Sequence, residues 1–251
     1  MHAVLIAALA VAGLLIGWLQ RPIIFRLAVP AGDPPRSACP DCGTEFWPTR
    51  RSPWTGPSPA GRCRACRARI WPPPLSTELI TALVLGSLAA RLHPGLVLAA
   101  AVWLAICSSP LAWIDIAVHR LPDVLTWPAY AGTAVILLLA ATSGHWADLL
   151  RAVLGGLALA AFYLVFALIN PGGMGLGDVK LAASLGTLLA WSGWPTLVDG
   201  AAAGFLLGGL YGVVLLVLRR ATRKQHIPFG PFMIVGAFLI VLAFAAPGAA
   251  S

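Results

Sequence analysis

Eight apolar runs, most of them long enough to cross a bilayer, dominate this chain: about 3–19, 75–91, 95–114, 124–142, 148–169, 178–192, 197–218 and 228–247. A spanning helix needs roughly 17–25 such residues, and only the sixth run is short. Inside hydrocarbon every backbone N–H and C=O must find its partner within the protein, so runs of this kind fold as helices. The sequence is 59% hydrophobic and 10% charged, against about 25% charged in a soluble domain. It predicts an all-α, polytopic membrane bundle of about eight transmembrane helices and excludes a soluble globular protein.

The net charge of +8 would point to nucleic acid in a soluble protein. Here the basic residues read as topology signals, and no nucleic-acid partner is expected. With the N-terminus outside, the inner loops hold Arg21, Arg26, Arg36, Arg50, Arg51, Arg62, Arg64, Arg67, Arg69, Arg120, Lys180, Arg219, Arg220, Arg223 and Lys224. Only Arg91 and Arg151 of the 17 Lys and Arg fall outside, which is the positive-inside pattern. Both termini are then expected outside. The head Met1-His2-Ala3 lacks a basic residue, so the first run reads as a retained span rather than a cleaved signal. The chain divides into residues 1–74, one span and a polar Pro- and Arg-rich cytoplasmic loop, and residues 75–251, a bundle of seven spans. Gly204, Gly208 and Gly209 read as helix-packing positions.

The loop carries Cys39-Pro-Asp-Cys42 and Cys63-Arg-Ala-Cys66. Two such pairs at this spacing match a four-thiolate structural zinc site. Gly43 follows the first pair where a knuckle needs a permissive backbone. A redox pair or free thiols are the alternatives; four sulfurs leave no open position for catalytic zinc. Cys107 lies in an apolar run and reads as a small packing residue.

Two aspartates stand at the inner edge. A carboxylate in hydrocarbon costs on the order of 2.5–3.5 kcal/mol at mid-helix, so it marks function. Asp115 ends the third run, where the helix dipole disfavours an anion; pairing with His119 or Arg120 is the structural alternative. Asp123 opens the fourth run after the Leu121-Pro122 turn, at a helix-capping position. Asp178 follows Gly173, Gly175 and Gly177 at the first turn of the sixth run, where a cap is again the alternative. One ionised and one protonated carboxyl can together activate water and protonate a leaving amine. Proton- or cation-coupled transport and a non-catalytic assembly scaffold remain as other readings of the same residues.

The motifs resemble the bacterial type IV prepilin peptidases, membrane aspartic endopeptidases of the GxGD type. The match includes Ile114-Asp115, Leu121-Pro122-Asp123-Val-Leu-Thr126 and Gly173-Met-Gly-Leu-Gly-Asp178-Val-Lys180-Leu181. It also includes Gly61-Arg-Cys63-Arg-Ala-Cys66 leading to Thr77-Glu78-Leu79-Ile80-Thr81-Ala82, and Ile227-Pro228-Phe229-Gly230-Pro231-Phe232. The resemblance implies a multi-pass enzyme of the bacterial inner membrane that cuts the basic leader from a pilin or pseudopilin precursor helix at the cytoplasmic face, with membrane lipid around it. It maps the catalytic pair onto Asp115 and Asp178, with Asp123, Gly175, Gly177 and Lys180 in supporting positions. Many family members also methylate the new N-terminus with S-adenosylmethionine. Where the family usually reads Gly-Ser-Phe-Leu-Asn-Val-Val, this chain reads Gly17-Trp-Leu-Gln-Arg21-Pro22-Ile, so methylation is an open expectation.

Overall fold

The computed structural model describes residues 2–46, 61–169, 174–218 and 228–244. Arg50, Arg51, Gly173, Arg219, Arg220, Arg223, Lys224 and Ile227 of the sequence reading lie outside the described residues, as do both chain ends. The described residues form eight helices and no strand: α1 His2–Leu27, α2 Ser76–Arg91, α3 Leu96–Val118, α4 Asp123–Ala141, α5 Trp146–Ile169, α6 Leu176–Ser192, α7 Trp194–Val217 and α8 Gly230–Phe244.

Each apolar run became one helix, but their lengths differ from the expected spans. Five helices (α1, α3, α4, α5 and α7) are long and apolar enough to cross a membrane, so this is a multi-pass membrane protein. Within the described residues α2, α6 and α8 are shorter, at 16, 17 and 15 residues. α1 is longer than expected. It runs 26 residues through Pro22 to Leu27, about 39 Å at 1.5 Å per residue, which exceeds the roughly 30 Å hydrocarbon core. The polar residues from Gln20 onward, read from sequence as the start of the loop, therefore continue the helix, and Gln20 and Arg21 are buried.

These two side chains join α1 to its neighbours. Pro110 interrupts α3; lacking an N–H, it leaves the carbonyl of Ile106, four residues earlier, without its helical donor. Gln20 Nε2 donates to that oxygen at 2.9 Å, while Gln20 Oε1 accepts from the Thr81 hydroxyl of α2 at 3.3 Å. Arg21 pairs with Glu78 of α2 at 3.4 Å, both buried.

The main apolar core draws on α2 to α8, with α7 contributing only Leu197 among its fully buried residues. α6 is buried along most of its length, including Leu181, Leu185, Leu188 and Leu189. Lipid supplies no hydrophobic drive between helices, so close backbone approach at small residues takes its place. At Gly186 an added methyl would stand 3.0 Å from the Gly155 carbonyl and 3.0 Å from Leu159 Cβ of α5. On α7, Gly204 packs against the backbone of α8 and Gly208 against Phe229. Gly209 faces open space, so it is not the packing position expected of it.

The two basic residues that broke the charge pattern serve as helix caps at the opposite end of the bundle. Arg151 donates to the carbonyls of Ala190 and Trp191 at the end of α6, and Arg91 to Leu242 near the end of α8 at 2.9 Å. Each satisfies orphan carbonyls and opposes the negative end of a helix dipole.

Candidate active site

The last turn of α3, the first turn of α6 and the first turn of α8 meet at one end of the bundle. α3 continues to Val118, so Asp115 lies within its final turn rather than beyond it, and its carboxyl is buried. A charge there opposes the α3 dipole, but the N-terminus of α8 offsets this. The backbone N–H of Gly230, an orphan donor at that terminus, donates to Asp115 Oδ2 at 3.0 Å. Neither alternative partner takes the carboxyl. His119 forms the left-handed C-cap of α3 at φ 53°, and Arg120 donates to the carbonyl of Pro30 at 3.2 Å.

Asp178 is the third residue of α6 and is also buried. Its Oδ2 accepts the Gly175 N–H at 3.0 Å, which is a capping contact. Its Oδ1 is buried and has no hydrogen-bond partner among the described residues. A carboxylate that only capped its helix would have no reason to bury its second oxygen unpaired, since an unmet buried polar group costs about 1–3 kcal/mol.

Leu121 brings the two acids together. An added methyl at Gly177 would stand 2.8 Å from Leu121 Cβ, and one at Gly230 would stand 3.4 Å from Leu121 Cδ2. The glycine beside Asp178 and the glycine that holds Asp115 thus pack on the same side chain.

Asp123 and Lys180 stand outside this buried pair. They form an ion pair at 2.6 Å between the start of α4 and the first turn of α6, with Asp123 largely exposed. The Lys180 ammonium also lies 5.7 Å from the centre of the Trp127 ring. Gly175 has an extended φ of −88° and no close neighbour for an added methyl, so its contribution is the N–H rather than the missing side chain.

The four loop cysteines converge at the same end. Their ligand atoms all lie within 4.8 Å of one another, and the sulfurs of Cys39 and Cys66 are 3.8 Å apart, those of Cys42 and Cys63 3.7 Å. Tetrahedral sulfurs around a metal bonded at about 2.3 Å sit about 3.8 Å apart. The cluster therefore fits a metal ion, and all four cysteines are free of disulfides. The two knuckles repeat one pattern: Gly43 N–H donates to Cys39 O and Arg67 N–H to Cys63 O, each at 3.0 Å. Gly43 has φ 69°, as its position required, whereas Arg67 occupies the matching left-handed turn at φ 60°. The Thr44 hydroxyl, 3.2 Å from Cys42 Sγ, and then the Thr44 backbone lower the Cys42 thiol to about 6. Phe25 of α1 packs edge-on against Phe46 at 5.4 Å, and Trp71 against Trp113 at 5.4 Å. The second contact ties the loop to α3 two residues before Asp115.

Residues 96–246 match the model of the type IV leader peptidase family, and residues 11–92 match the bacterial peptidase A24 N-terminal domain. The chain belongs to the type IV leader peptidase family. It is 35% identical over 218 residues to the prepilin leader peptidase/N-methyltransferase of Aeromonas salmonicida, a match covering 83% of this chain and 71% of the relative. The protein of the same name from Pseudomonas aeruginosa is 35% identical over 219 residues, with the same coverage. That from Stutzerimonas stutzeri is 30% identical over 262 residues, covering 92% of this chain and 88% of the relative. No solved structure matches.

The sequence motifs contain the residues around both acids but not their contacts. Gly230 stood in a matched motif without a role, and the Pro-Phe-Gly-Pro order at an apolar run's start was the available signal for a helix N-terminus. Nothing in the sequence singled out Leu121 as the shared packing residue.

Proposed function

We propose that this chain is a membrane aspartic endopeptidase that removes the basic leader from type IV prepilin-like precursors, with Asp115 and Asp178 as its catalytic pair. The observation that carries this reading is the meeting of two buried carboxyls from separate helix ends, each held by one backbone N–H. With one carboxyl ionised and the other protonated, the first takes a proton from water as its oxygen attacks the scissile carbonyl. The second gives its proton to the departing amine as the C–N bond breaks. The unpaired Oδ1 of Asp178 is the candidate acceptor for the water proton. The fixed backbone donors hold each carboxyl in place, and burial excludes competing water.

The acids, the cysteine loop and most of the described basic residues share one end of the bundle, which we read as the cytoplasmic face with both termini outside. A precursor helix would enter sideways from lipid, past exposed apolar residues such as Val124, Trp127 and Leu176. Its basic leader would remain in the cytosol. Cys39, Cys42, Cys63 and Cys66 would hold zinc, which would tie the loop's two knuckles together without acting on substrate. Asp123 and Lys180 would brace α4 against α6. Gly177 would let α6 approach Leu121. N-methyltransferase is the second activity in the relatives' names; in this chain it would methylate the new N-terminus with S-adenosylmethionine. Residues 47–60 between the cysteine pairs lie outside the described residues, and the mechanism runs through the aspartates alone.

Mass spectrometry of a co-expressed pilin precursor tests the reading and reports cleavage and methylation together. Asp115→Asn and Asp178→Asn are each expected to insert normally and leave the leader attached. Normal processing by either variant would rule out the two-acid mechanism.

A further inference from the structure

A basic leader poses a charge problem that the two acids do not solve. On the orientation read above it approaches a face that carries all but Arg91 and Arg151 of the 17 Lys and Arg. Like charges disfavour that approach unless a local acid offsets them. Outside the pair, few acids are available on that face. Glu78 is buried and bound to Arg21. Asp33, Asp41 and Glu45 are exposed on the loop between α1 and α2. Asp123 differs from these, because it lies on the segment that touches the supports of both catalytic acids.

That segment fixes its position. Leu121 packs against both Gly177 and Gly230. Asp123 follows two residues later, so its Cα lies within about 7.6 Å of the Leu121 Cα, two peptide steps at most. It begins α4 after Pro122. Its side chain is 61% exposed, and Oδ1 accepts from Lys180 Nζ at 2.6 Å. Its other oxygen has no partner among the described residues. Arg120 is turned away to the carbonyls of Val29 and Pro30. Val124 and Trp127 on the same first turns of α4 are exposed apolar surface. Asp123 therefore stands where the lipid-facing side of α4 gives way to the inner loops, beside the route drawn above for the precursor.

The partner of Asp123 is exchangeable. The Lys180 side chain is 35% exposed, and an ion pair this open adds about fivefold at most to an equilibrium. Lys180 also has a second resting place, since its ammonium lies 5.7 Å from the centre of the Trp127 ring. A cation from outside can replace it on Asp123 without stranding either charge.

We propose that Asp123 is a specificity-determining residue, whose carboxylate receives a Lys or Arg of the leader in exchange for Lys180 while Lys180 stays over Trp127. The proposal rests on the prepilin-peptidase reading and names the residue that selects the leader's charge. An extended leader spans about 3.3–3.6 Å per residue, so a cation within about three residues of the scissile bond reaches this carboxylate.

Two forms of one type IV pilin precursor test it, one with its leader Lys and Arg intact and one with them replaced by Gln. Purified full-length enzyme in detergent is expected to prefer the basic form by about 1.5- to 5-fold in kcat/KM, the scale of an exposed ion pair. Asp123→Asn should abolish that preference. A part that only braced α4 against α6 would change both precursors equally and leave the ratio alone. No preference in the wild type, or an undiminished one in Asp123→Asn, would overturn the proposal. Two further measurements serve if Asp123→Asn fails to fold. Lys180→Gln removes the competitor and should widen the preference, and an unwidened one would refute the exchange. In the wild type the preference should fade between about 0.1 M and about 1 M salt, as the Debye length falls from about 10 Å to about 3 Å; indifference to salt would refute a charge contact. Asp178→Asn, run alongside, separates the two levels. Cleavage of both precursors there would remove the aspartic mechanism itself, whereas an inactive Asp178→Asn beside an Asp123→Asn that still prefers the basic leader would remove only the role of Asp123.

Discussion

Gly230→Ala isolates the contact that holds Asp115. The added methyl would lie 2.9 Å from Asp115 Oδ2 and 3.4 Å from its carboxyl carbon. Ordinary carbon–oxygen contacts are about 3.3–3.6 Å, so the carboxyl must retreat by about half an ångström. It cannot do so and keep the 3.0 Å hydrogen bond from Gly230 N–H at its present geometry. A hydrogen bond to a charged group is worth about 1.5–3 kcal/mol, which corresponds to about 10–100-fold in rate. Catalytic groups tolerate displacement of only about 0.5 Å, which argues for the same range. The backbone at this position begins α8, where alanine is no worse than glycine for a helix, so folding should be little affected. The assay is precursor cleavage under kcat and KM conditions, with a thermal transition measured on the same preparation. The expected result is a 10–100-fold fall in kcat with a near-native transition. Gly209→Ala is the control, because its added methyl meets nothing within 4 Å. Wild-type kcat in Gly230→Ala, or an equal loss in Gly209→Ala, would refute the account of how Asp115 is held.

Gln20→Leu should leave the Ile106 carbonyl at the Pro110 break without its donor, costing about 1–3 kcal/mol; a lowered thermal transition in detergent checks this, and an unchanged one would mean another donor serves that oxygen. Purified protein should carry about one zinc per chain, the content of a single four-sulfur site, and Cys39→Ser with Cys63→Ser should abolish it by metal analysis. Bound metal excludes protons from its thiolates, so affinity falls as pH drops. Zinc transfer to a chromophoric chelator should therefore quicken as the pH is lowered, and a rate independent of pH would argue against thiolate ligation.

Much of the site was legible because local chemistry is written in local sequence. Apolar runs in lipid have one economical backbone solution, so eight runs became eight helices. Paired C-x2-C knuckles are short-range turns, and their geometry followed from four residues and a left-handed position. The acids were conspicuous because charge is rare in such a chain. The helix ends were less legible: α1 continued past Pro22 because Gln20 and Arg21 found buried partners on α2 and α3, and those partners are more than fifty residues away in sequence.

The sequence by itself determined that this chain crosses a membrane several times, that its cysteines can gather around a metal, and which two acids stand at the edge of the bundle. Tertiary structure alone decided that the N-terminus of α8 holds Asp115 and that Leu121 packs against both Gly177 and Gly230. Periodicity and motif spacing act over a helical turn or a loop. Which side chains face one another across helices depends on how closely backbones approach at glycines such as Gly177, Gly186 and Gly230, and that approach is a property of the packed bundle.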